Sequence, residues 1–252
     1  MRSDGELKIQ VNHLVVEYDA RRVLDDVSLS IYAGEVFVIL GGSGCGKTTL
    51  MNHMIGLLKP VSGEIIIGGD DIVTAVGEDR LTILSRIGVM FQSGALFGSK
   101  NLLENVRVPL EELAEIPEDA MDAVALNKLK LVGLGDYANF MPAQISGGMQ
   151  KRAAIARAIA LDPEIVFLDE PSAGLDPITS SSLDHLIKDL AKNLNISFVV
   201  VTHELASIEA IADRAIMLHD GKVVARGSIS DLKTKTDNPY VQQFFNREAT
   251  HG

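Results

Sequence analysis

The sequence predicts an α/β protein with a mainly parallel β-sheet, on the strength of two observations. First, almost wholly apolar runs stand at residues 36–40 (VFVIL), 165–170 (IVFLDE) and 197–203 (SFVVVTH), and they are typical of buried strands. Second, residues 177–194, between the last two runs, carry apolar side chains at helical spacing. Strands that are apolar on both faces and alternate with helices indicate a parallel sheet covered by helices on each side.

Other stretches add an antiparallel part and a helical part to this core. Residues 7–40 predict the strands of a small sheet that lead into the buried strand at 36–40, so we expect an N-terminal antiparallel β-subdomain. Residues 62–72 predict a hairpin that turns at two glycines. Helical patterns dominate residues 100–160 approximately, so we expect an inserted α-helical subdomain there. The main domain is expected to span residues 7–228. Residues 229–252 are a C-terminal tail, either a short docking helix or loose chain.

Composition excludes several classes of protein. The chain of 252 residues has a formal net charge of −11, which argues against binding to a nucleic-acid backbone or directly to an anionic bilayer. No apolar run approaches the ~20 residues that span a bilayer, and residues 1–10 lack the apolar core of a signal peptide. The single cysteine fits a reducing compartment. We therefore expect a cytosolic protein without a nucleic-acid partner.

The stretch GGSGCGKTT at residues 41–49 matches the phosphate-loop motif G-x-x-x-x-G-K-[ST] between a predicted strand and a predicted helix. Lys47 would neutralise the β- and γ-phosphates of a nucleotide, and Thr48 would hold Mg²⁺. A flexible glycine-rich turn is the alternative, and so is a redox-active turn, since a helix start and Lys47 would lower the pKa of the Cys45 thiol. The candidate nucleotide-binding residues are Gly41, Gly42, Ser43, Gly44, Cys45, Gly46, Lys47, Thr48 and Thr49.

Two carboxylates end the apolar run at residues 165–170. A buried carboxylate is costly unless it has a partner, so packing alone does not explain Asp169 and Glu170. Asp169 suits the ligand shell of Mg²⁺, and Glu170 could polarise an attacking water. An ordinary solvated strand end is the alternative.

A second helix start that could bind an anion lies at ISGGMQ, residues 145–150. The Ser146 side chain can cap the helix, and the N–H groups of Gly147 and Gly148 can face an anion. In isolation, a serine cap followed by glycines for close packing would explain the same residues. Together with the phosphate loop, these residues form a pattern of two phosphate-seeking helix starts.

The order of these motifs, followed by a lone histidine at the end of SFVVVTH, resembles the ATPase subunit of ATP-binding-cassette (ABC) transporters over residues 7–228. The resemblance implies a phosphate-loop NTPase core, with ATP and Mg²⁺ as ligands. It also implies an ATP-sandwich homodimer, in which the phosphate loop of one copy and the signature helix of a second copy clamp one nucleotide.

Further site residues follow from this resemblance. Tyr18 matches the aromatic residue that stacks on adenine, and Gln92 matches the lid glutamine that touches Mg²⁺ and senses the membrane partner. Asp176 matches the loop that crosses the dimer, and His203 matches the switch histidine at the γ-phosphate. Local alternatives are a core tyrosine, a helix cap at Asp176 and a structural histidine. The expected catalytic residues are Glu170, His203, Lys47 and Gln92.

Two positions depart from the usual motifs of the family. Gly42 stands where proline is frequent, and Met149 stands where the signature usually has glutamine. Neither change removes a phosphate ligand. The expected metal ligands remain Thr48, Gln92 and Asp169.

The stretches FQSGALF (91–97) and GLDPITS (174–180) resemble the ATPases of MCE-linked phospholipid transporters, the maintenance-of-lipid-asymmetry type. This implies a peripheral subunit at the cytoplasmic face of the inner membrane. Its expected partners are an integral-membrane permease docked on the helical subdomain near Gln92, and an MCE-domain protein. The alternatives are an ABC ATPase for another substrate, the soluble ABC ATPase of iron–sulfur cluster assembly, and a DNA-repair or translation ATPase.

Overall fold

The computed structural model describes residues 5–19 and 21–246, whose strands form two sheets. In chain order the strands are β1 (Leu7–Tyr18), β2 (Arg21–Tyr32), β3 (Val36–Gly41), β4 (Ser62–Ile67), β5 (Asp70–Asp71), β6 (Ile87–Met90), β7 (Ile165–Asp169), β8 (Ser197–Val201), β9 (Arg214–His219) and β10 (Lys222–Gly227). The helices are α1 (Lys47–Met54), α2 (Gly77–Ser85), α3 (Leu102–Leu113), α4 (Glu118–Leu131), α5 (Gly147–Ala158), α6 (Pro177–Leu194), α7 (Leu205–Ile211), α8 (Ile229–Thr234) and α9 (Pro239–Asn246).

The larger sheet has the order β10-β9-β3-β8-β7-β6, and β3, β6, β7, β8 and β9 run parallel. Its antiparallel edge comes from the β9–β10 hairpin, which turns at Asp220 and Gly221. The smaller sheet, β2-β1-β4-β5, is antiparallel throughout. The predicted fold class is therefore confirmed.

The central strand β3 explains why the apolar runs show no alternation. Val38 and Leu40 pack into a core that also holds buried residues of α5, α6 and α7. Phe37 and Ile39 point to the other face, into a second core shared with α1 and the antiparallel sheet. Both faces of the strand are buried, as a parallel sheet between two layers requires.

The carboxyl ends of the central strands lie at one edge of the sheet. In the strand register Asp169 stands beside Val201, Ile39 also stands beside Val201, and Gly41 stands beside Leu218. Ligands of open α/β sheets bind at such an edge. The loops that follow β3, β7 and β8 therefore meet in one place.

Helices α3, α4 and α5 occupy the stretch between β6 and β7 where we expected the inserted subdomain. A capping box starts α3, because the Asn101 side chain accepts from the Glu104 N–H and Glu104 accepts from the Asn101 N–H. Leu102 and Val106 of α3 and Leu129 of α4 are fully buried in the shared core. Residues 5–19 and 21–246 contain no helix with the length and apolar character of a membrane crossing.

The C-terminal segment docks on the body of the chain through α8 and α9. Val241 is fully buried, and Phe244 and Phe245 pack against the main core. The described part of the tail therefore consists mainly of two short helices, of which α9 packs against the core. Residues 247–252 of the expected tail lie outside the described residues.

Candidate nucleotide-binding site

The loop between β3 and α1 leaves no room for side chains at its ends. Gly46, the N-cap of α1, has a left-handed φ of 104°, and a Cβ on it would lie 2.7 Å from Leu24 Cδ2. A Cβ on Gly41 would lie 2.3 Å from the carbonyl oxygen of Leu218. At these glycines no side chain covers the backbone. The N–H groups at the start of α1 carry the partial positive charge of a helix N-terminus.

Lys47 brings a full positive charge to this loop. Its side chain is buried, and Nζ donates to the carbonyl oxygens of Gly41 at 3.0 Å and Gly42 at 2.9 Å. The first turn of α1 contains no acidic residue. The site thus joins a helix start and a lysine, both attractive to a phosphate group.

Thr48 and Asp169 form a pair of oxygen ligands. The Thr48 hydroxyl donates to the Asp169 carboxylate, with oxygen–oxygen distances of 3.3 and 3.5 Å. Asp169 is only 5% exposed, and this burial raises its pKa, as does the neighbouring charge of Glu170, while the Thr48 hydrogen bond acts in the opposite direction. A hydroxyl beside a carboxylate fits Mg²⁺, which prefers oxygen ligands.

Glu170 is held in a strained and partly unsatisfied state. It has a left-handed φ of 46°, which is rare for a residue other than glycine, and its N–H donates to the Val201 carbonyl at 2.8 Å. Its Oε1 lies 2.7 Å from Nδ1 of His203, whose ring is largely exposed. Glu170 Oε2 is buried with no hydrogen-bond partner among the described residues. This oxygen is available to a water or a ligand.

Sequence reasoning missed Lys151, which lies in α5 behind the two carboxylates. The Lys151 ammonium donates to the backbone carbonyl of Gln92, and its burial lowers its pKa although the charges of Asp169 and Glu170 act to raise it. Lys151 therefore ties the signature helix to the loop that carries Gln92. The only signal in the sequence was a lysine in MQKR, and nothing local to it pointed towards a carbonyl 59 residues away.

Nine of the predicted residues line a cleft of 320 Å³, and the buried Cys45 and Asp169 are not among its lining residues. The cleft is lined by Val23, Ser43, Gly44, Gly46, Lys47, Thr48, Thr49, Gln92, Glu170 and His203. Tyr18 is not among these lining residues. It lies 43% exposed at the end of β1, in the hairpin that leads to Val23. Gly41 and Gly42 form the base of the loop instead of the cleft wall.

The expected lowering of the Cys45 pKa is wrong. Cys45 is buried, and this burial raises the pKa of its thiol more strongly than the positive charge of Lys47 lowers it. The sequence showed the nearby charge and the helix start but not the packing around the sulfur. The redox-active alternative loses its physical basis.

The remaining predicted residues form a separate surface, which we call the signature face: Ser146, Gly147, Gly148 and Asp176. Ser146 caps α5 by accepting from the Met149 N–H at 3.3 Å. Asp176 caps α6 by accepting from the N–H groups of Ile178 at 3.0 Å and Thr179 at 3.1 Å.

The two helix starts of the signature face touch each other. A Cβ on Gly148 would lie 2.4 Å from Thr179 Cγ2, and the Thr179 hydroxyl donates to Asp176 at 2.6 Å. Ser146, Gly147 and Asp176 are exposed, and no residue of the signature face lines the cleft.

A phosphate loop at the edge of a parallel sheet, facing a strand-end carboxylate pair, defines a nucleotide-hydrolysing protein. Comparison with known families narrows this class. The family model described as ABC transporter matches residues 24–173. The chain belongs to the ABC transporter family, and it is an ATPase of the ABC type.

Similar proteins agree with this assignment. The chain is 43% identical over 225 residues to the intermembrane phospholipid transport system ATP-binding protein MlaF of Escherichia coli K12, covering 89% of this chain and 83% of that protein. It is 42% identical over 240 residues to the probable ribonucleotide transport ATP-binding protein mkl of Mycobacterium tuberculosis, covering 95% and 67%. A solved ATP-binding cassette, dimeric in a post-hydrolysis state with ADP and phosphate, is 32% identical with a TM-score of 0.80 and covers 88% of this chain and 98% of its own.

Proposed function

We propose that this chain is the energy-coupling ATPase of a transporter that moves phospholipid or another hydrophobic molecule between the inner membrane and the outer envelope. The observation that carries the proposal is the 43% identity to MlaF over 89% of the chain. The stretches at residues 91–97 and 174–180 support the same system. Ribonucleotide transport is the second candidate, since the mycobacterial relative carries that description at 42% identity.

In this function the phosphates of ATP bind the loop at residues 41–49. Lys47 leaves the two loop carbonyls and pairs with the β- and γ-phosphates, and the adenine ring packs on the exposed ring of Tyr18. Thr48, Asp169 and Gln92 would hold a Mg²⁺ ion, which supplies charge neutralisation on the phosphates.

Hydrolysis then depends on the strand-end carboxylate. Glu170 polarises the attacking water with the oxygen that lacks a partner among the described residues. His203 is oriented by the other oxygen of Glu170 and contacts the γ-phosphate through its exposed ring. The left-handed backbone of Glu170 supports this role because such strain concentrates at functional sites.

Each nucleotide site is completed by a second copy of the chain. The signature face of one copy, with Ser146, Gly147, Gly148 and Asp176, closes on the nucleotide in the cleft of its partner. The exposure of this face supports the homodimer, and so do the dimeric solved cassettes similar to this chain. ATP binding closes the dimer and hydrolysis reopens it, which moves the membrane subunits.

The membrane partner is an integral permease that docks on the helical subdomain near Gln92. Phe91 and Phe97 flank this loop with 36% and 49% of their surface exposed, which suits an apolar contact. The ATPase then lies at the cytoplasmic face of the inner membrane, and an MCE-domain protein belongs to the same complex.

Affinity purification in detergent tests this function. We expect the tagged chain to retain a permease and an MCE-domain protein together with phospholipid. The variant Phe91→Asp/Phe97→Asp should lose the permease, while Leu7→Asp, at a side chain exposed to 40% on the small sheet, should retain it. A permease purified without an MCE-domain protein and without phospholipid, with ribonucleotide bound to the permease itself, would support the second candidate. Soluble iron–sulfur assembly proteins alone would contradict both.

A further inference from the structure

The C-terminal helix α9 reaches the phosphate loop of its own chain. The hydroxyl of Tyr240 accepts a hydrogen bond from the Gly42 N–H, with a nitrogen–oxygen distance of 3.1 Å. These residues are 198 positions apart. The contact joins the end of the chain to the loop that the proposed function assigns to the nucleotide phosphates.

The position of this hydroxyl is fixed from several sides. The Tyr240 ring stacks on His219, with ring centroids 3.7 Å apart and planes 26° from parallel. The side chain of Asn238 accepts from the Tyr240 N–H at 3.0 Å, and the next residue, Val241, is fully buried. Because ring and backbone are both held, the hydroxyl presents an acceptor at a set place in front of the loop.

The Tyr240 hydroxyl leaves room only for a glycine at position 42. A Cβ on Gly42 would lie 2.7 Å from the Tyr240 oxygen, while the φ of Gly42 is not in the left-handed region. The hydroxyl, and not the backbone conformation, therefore excludes a side chain here. A proline, which the family resemblance makes frequent at this position, has no N–H to donate.

The contact also differs from the others that hold the loop. Lys47 donates to the carbonyls of Gly41 and Gly42 with the same ammonium that is proposed to pair with a phosphate, so these bonds compete with the nucleotide. The Tyr240 bond uses the N–H of Gly42, which the pairing of Lys47 with a phosphate leaves in place. Tyr240 can hold the first turn of the loop before and after nucleotide arrives.

We propose that Tyr240 is a positioning residue for nucleotide binding, which fixes the Gly42 peptide so that the loop is already shaped for phosphate. The inference rests on the proposed role of the loop at residues 41–49. It assigns a function to α9 that the motifs of the main domain do not include. Pre-shaping a loop strengthens binding because less ordering remains to be done when the ligand arrives.

The test compares Tyr240→Phe with wild type in titrations with a fluorescent ATP analogue and in steady-state ATPase assays. The variant keeps the ring and its stacking but loses the hydroxyl. We expect the Kd for nucleotide and the KM for ATP to rise about fivefold, as the loss of one ordinary hydrogen bond implies. The kcat and the melting temperature should stay nearly unchanged. Tyr137→Phe, at an exposed ring that packs edge-on against Phe140, is the matched control and should match wild type.

A double-mutant cycle separates positioning from a general effect on folding. Gly42→Ala should weaken binding because its methyl group meets the Tyr240 hydroxyl, and adding Tyr240→Phe should weaken binding no further. Additive effects of the two substitutions would overturn the inference about Tyr240 but not the proposed role of the loop. An unchanged KM in Tyr240→Phe, with binding lost in Lys47→Ala, would have the same meaning. Nucleotide binding retained in Lys47→Ala would overturn the proposed role of the loop and this inference with it.

Discussion

The nucleotide cleft and the signature face are built in opposite ways. In the cleft, Lys47 and Glu170 are buried charges, and one oxygen of Glu170 lacks a partner among the described residues. On the signature face, Ser146 and Asp176 are exposed, and their oxygens already bind the N–H groups of their own helices. The cleft therefore holds polar atoms that are free to take a ligand, whereas the polar oxygens of the signature face already have partners within their own helices.

A buried chain of polar side chains runs between the two regions. Ser207 in α7 donates to Asp184 in α6 at 2.9 Å, and its hydroxyl lies 3.5 Å from that of Ser172, two residues after Glu170. Helix α6 begins at Pro177, directly after the capping residue Asp176. The carboxylate loop, the helix after His203 and the helix of the signature face are thus tied together beneath the surface.

The largest expected effect comes from Glu170→Gln, which removes the proposed base of the cleft while leaving the signature face intact. We expect turnover to fall about 10²- to 10⁴-fold, the usual contribution of a general base, with ATP binding retained. Phosphate release and nucleotide titration measure the two quantities. Glu209→Gln removes an exposed carboxylate on α7 and should leave both unchanged. Turnover near the wild-type rate in Glu170→Gln would remove this residue from the mechanism.

The next pair of variants breaks the two regions separately. Lys47→Ala should abolish nucleotide binding, whereas Ser146→Arg should abolish hydrolysis but leave nucleotide binding to the single chain intact. Ser228→Arg alters another serine cap, which accepts from the Asp231 N–H at 3.1 Å, and should keep its ATPase activity. Equal loss of binding in Lys47→Ala and Ser146→Arg would mean that the two regions are not functionally distinct.

Ser207→Ala weakens the connection between the regions. Asp184 is 4% exposed and would lose its hydrogen-bond donor, so we expect a loss of about 1–3 kcal/mol in unfolding free energy. Ser181→Ala, at an exposed position of α6, should change stability by less than about 0.5 kcal/mol. Thermal and urea unfolding give both values, and equal stability of the two variants would contradict a role for the buried chain.

The pH dependence of this variant follows from Asp184. Burial raises the pKa of its carboxyl group, while the Ser207 hydrogen bond lowers it. A raised pKa means that the carboxyl group contributes stability fully below its unfolded pKa and loses that contribution as pH rises through the folded pKa. The destabilisation by Ser207→Ala should therefore be larger near neutral pH than in mild acid. A loss independent of pH would show that Asp184 does not ionise in this range.

The smallest expected effect concerns Cys45. Because burial raises its thiol pKa, we expect iodoacetamide to label the native chain far more slowly than the unfolded chain. Mass spectrometry after timed quenching measures the two rates. Rapid labelling of the native chain would mean that the loop exposes its sulfur.

The fold and the motif residues could be predicted because their signals are local. Apolar runs such as residues 197–203, the Asp-Gly turn of the β9–β10 hairpin and the phosphate-loop motif each lie within a few consecutive positions. The strand register then brings the ends of β3, β7 and β8 together without further information. The two helix caps of the signature face, Ser146 and Asp176, could also be predicted from the sequence around them.

The contacts that sequence reasoning missed join residues distant in the chain. Lys151 meets the Gln92 carbonyl, Tyr240 meets Gly42, and Ser207 meets Asp184, and in each pair neither residue signals the other. The predicted lowering of the Cys45 pKa was wrong for the same reason, because the burial of the thiol depends on the packed core. These three contacts follow from the fold, whereas the Thr48–Asp169 pair, 121 positions apart, was accessible because both residues belong to recognisable motifs.

We propose that the nucleotide cleft and the signature face meet only between two copies of the chain. Light scattering of Glu170→Gln measures this most directly, because the variant should hold ATP without hydrolysing it. We expect the mass of one chain without nucleotide and of two chains with Mg²⁺ and ATP, and adding Ser146→Arg should restore the one-chain mass with ATP still bound. A one-chain mass for Glu170→Gln saturated with ATP, or an unaffected dimer after Ser146→Arg, would contradict the claim.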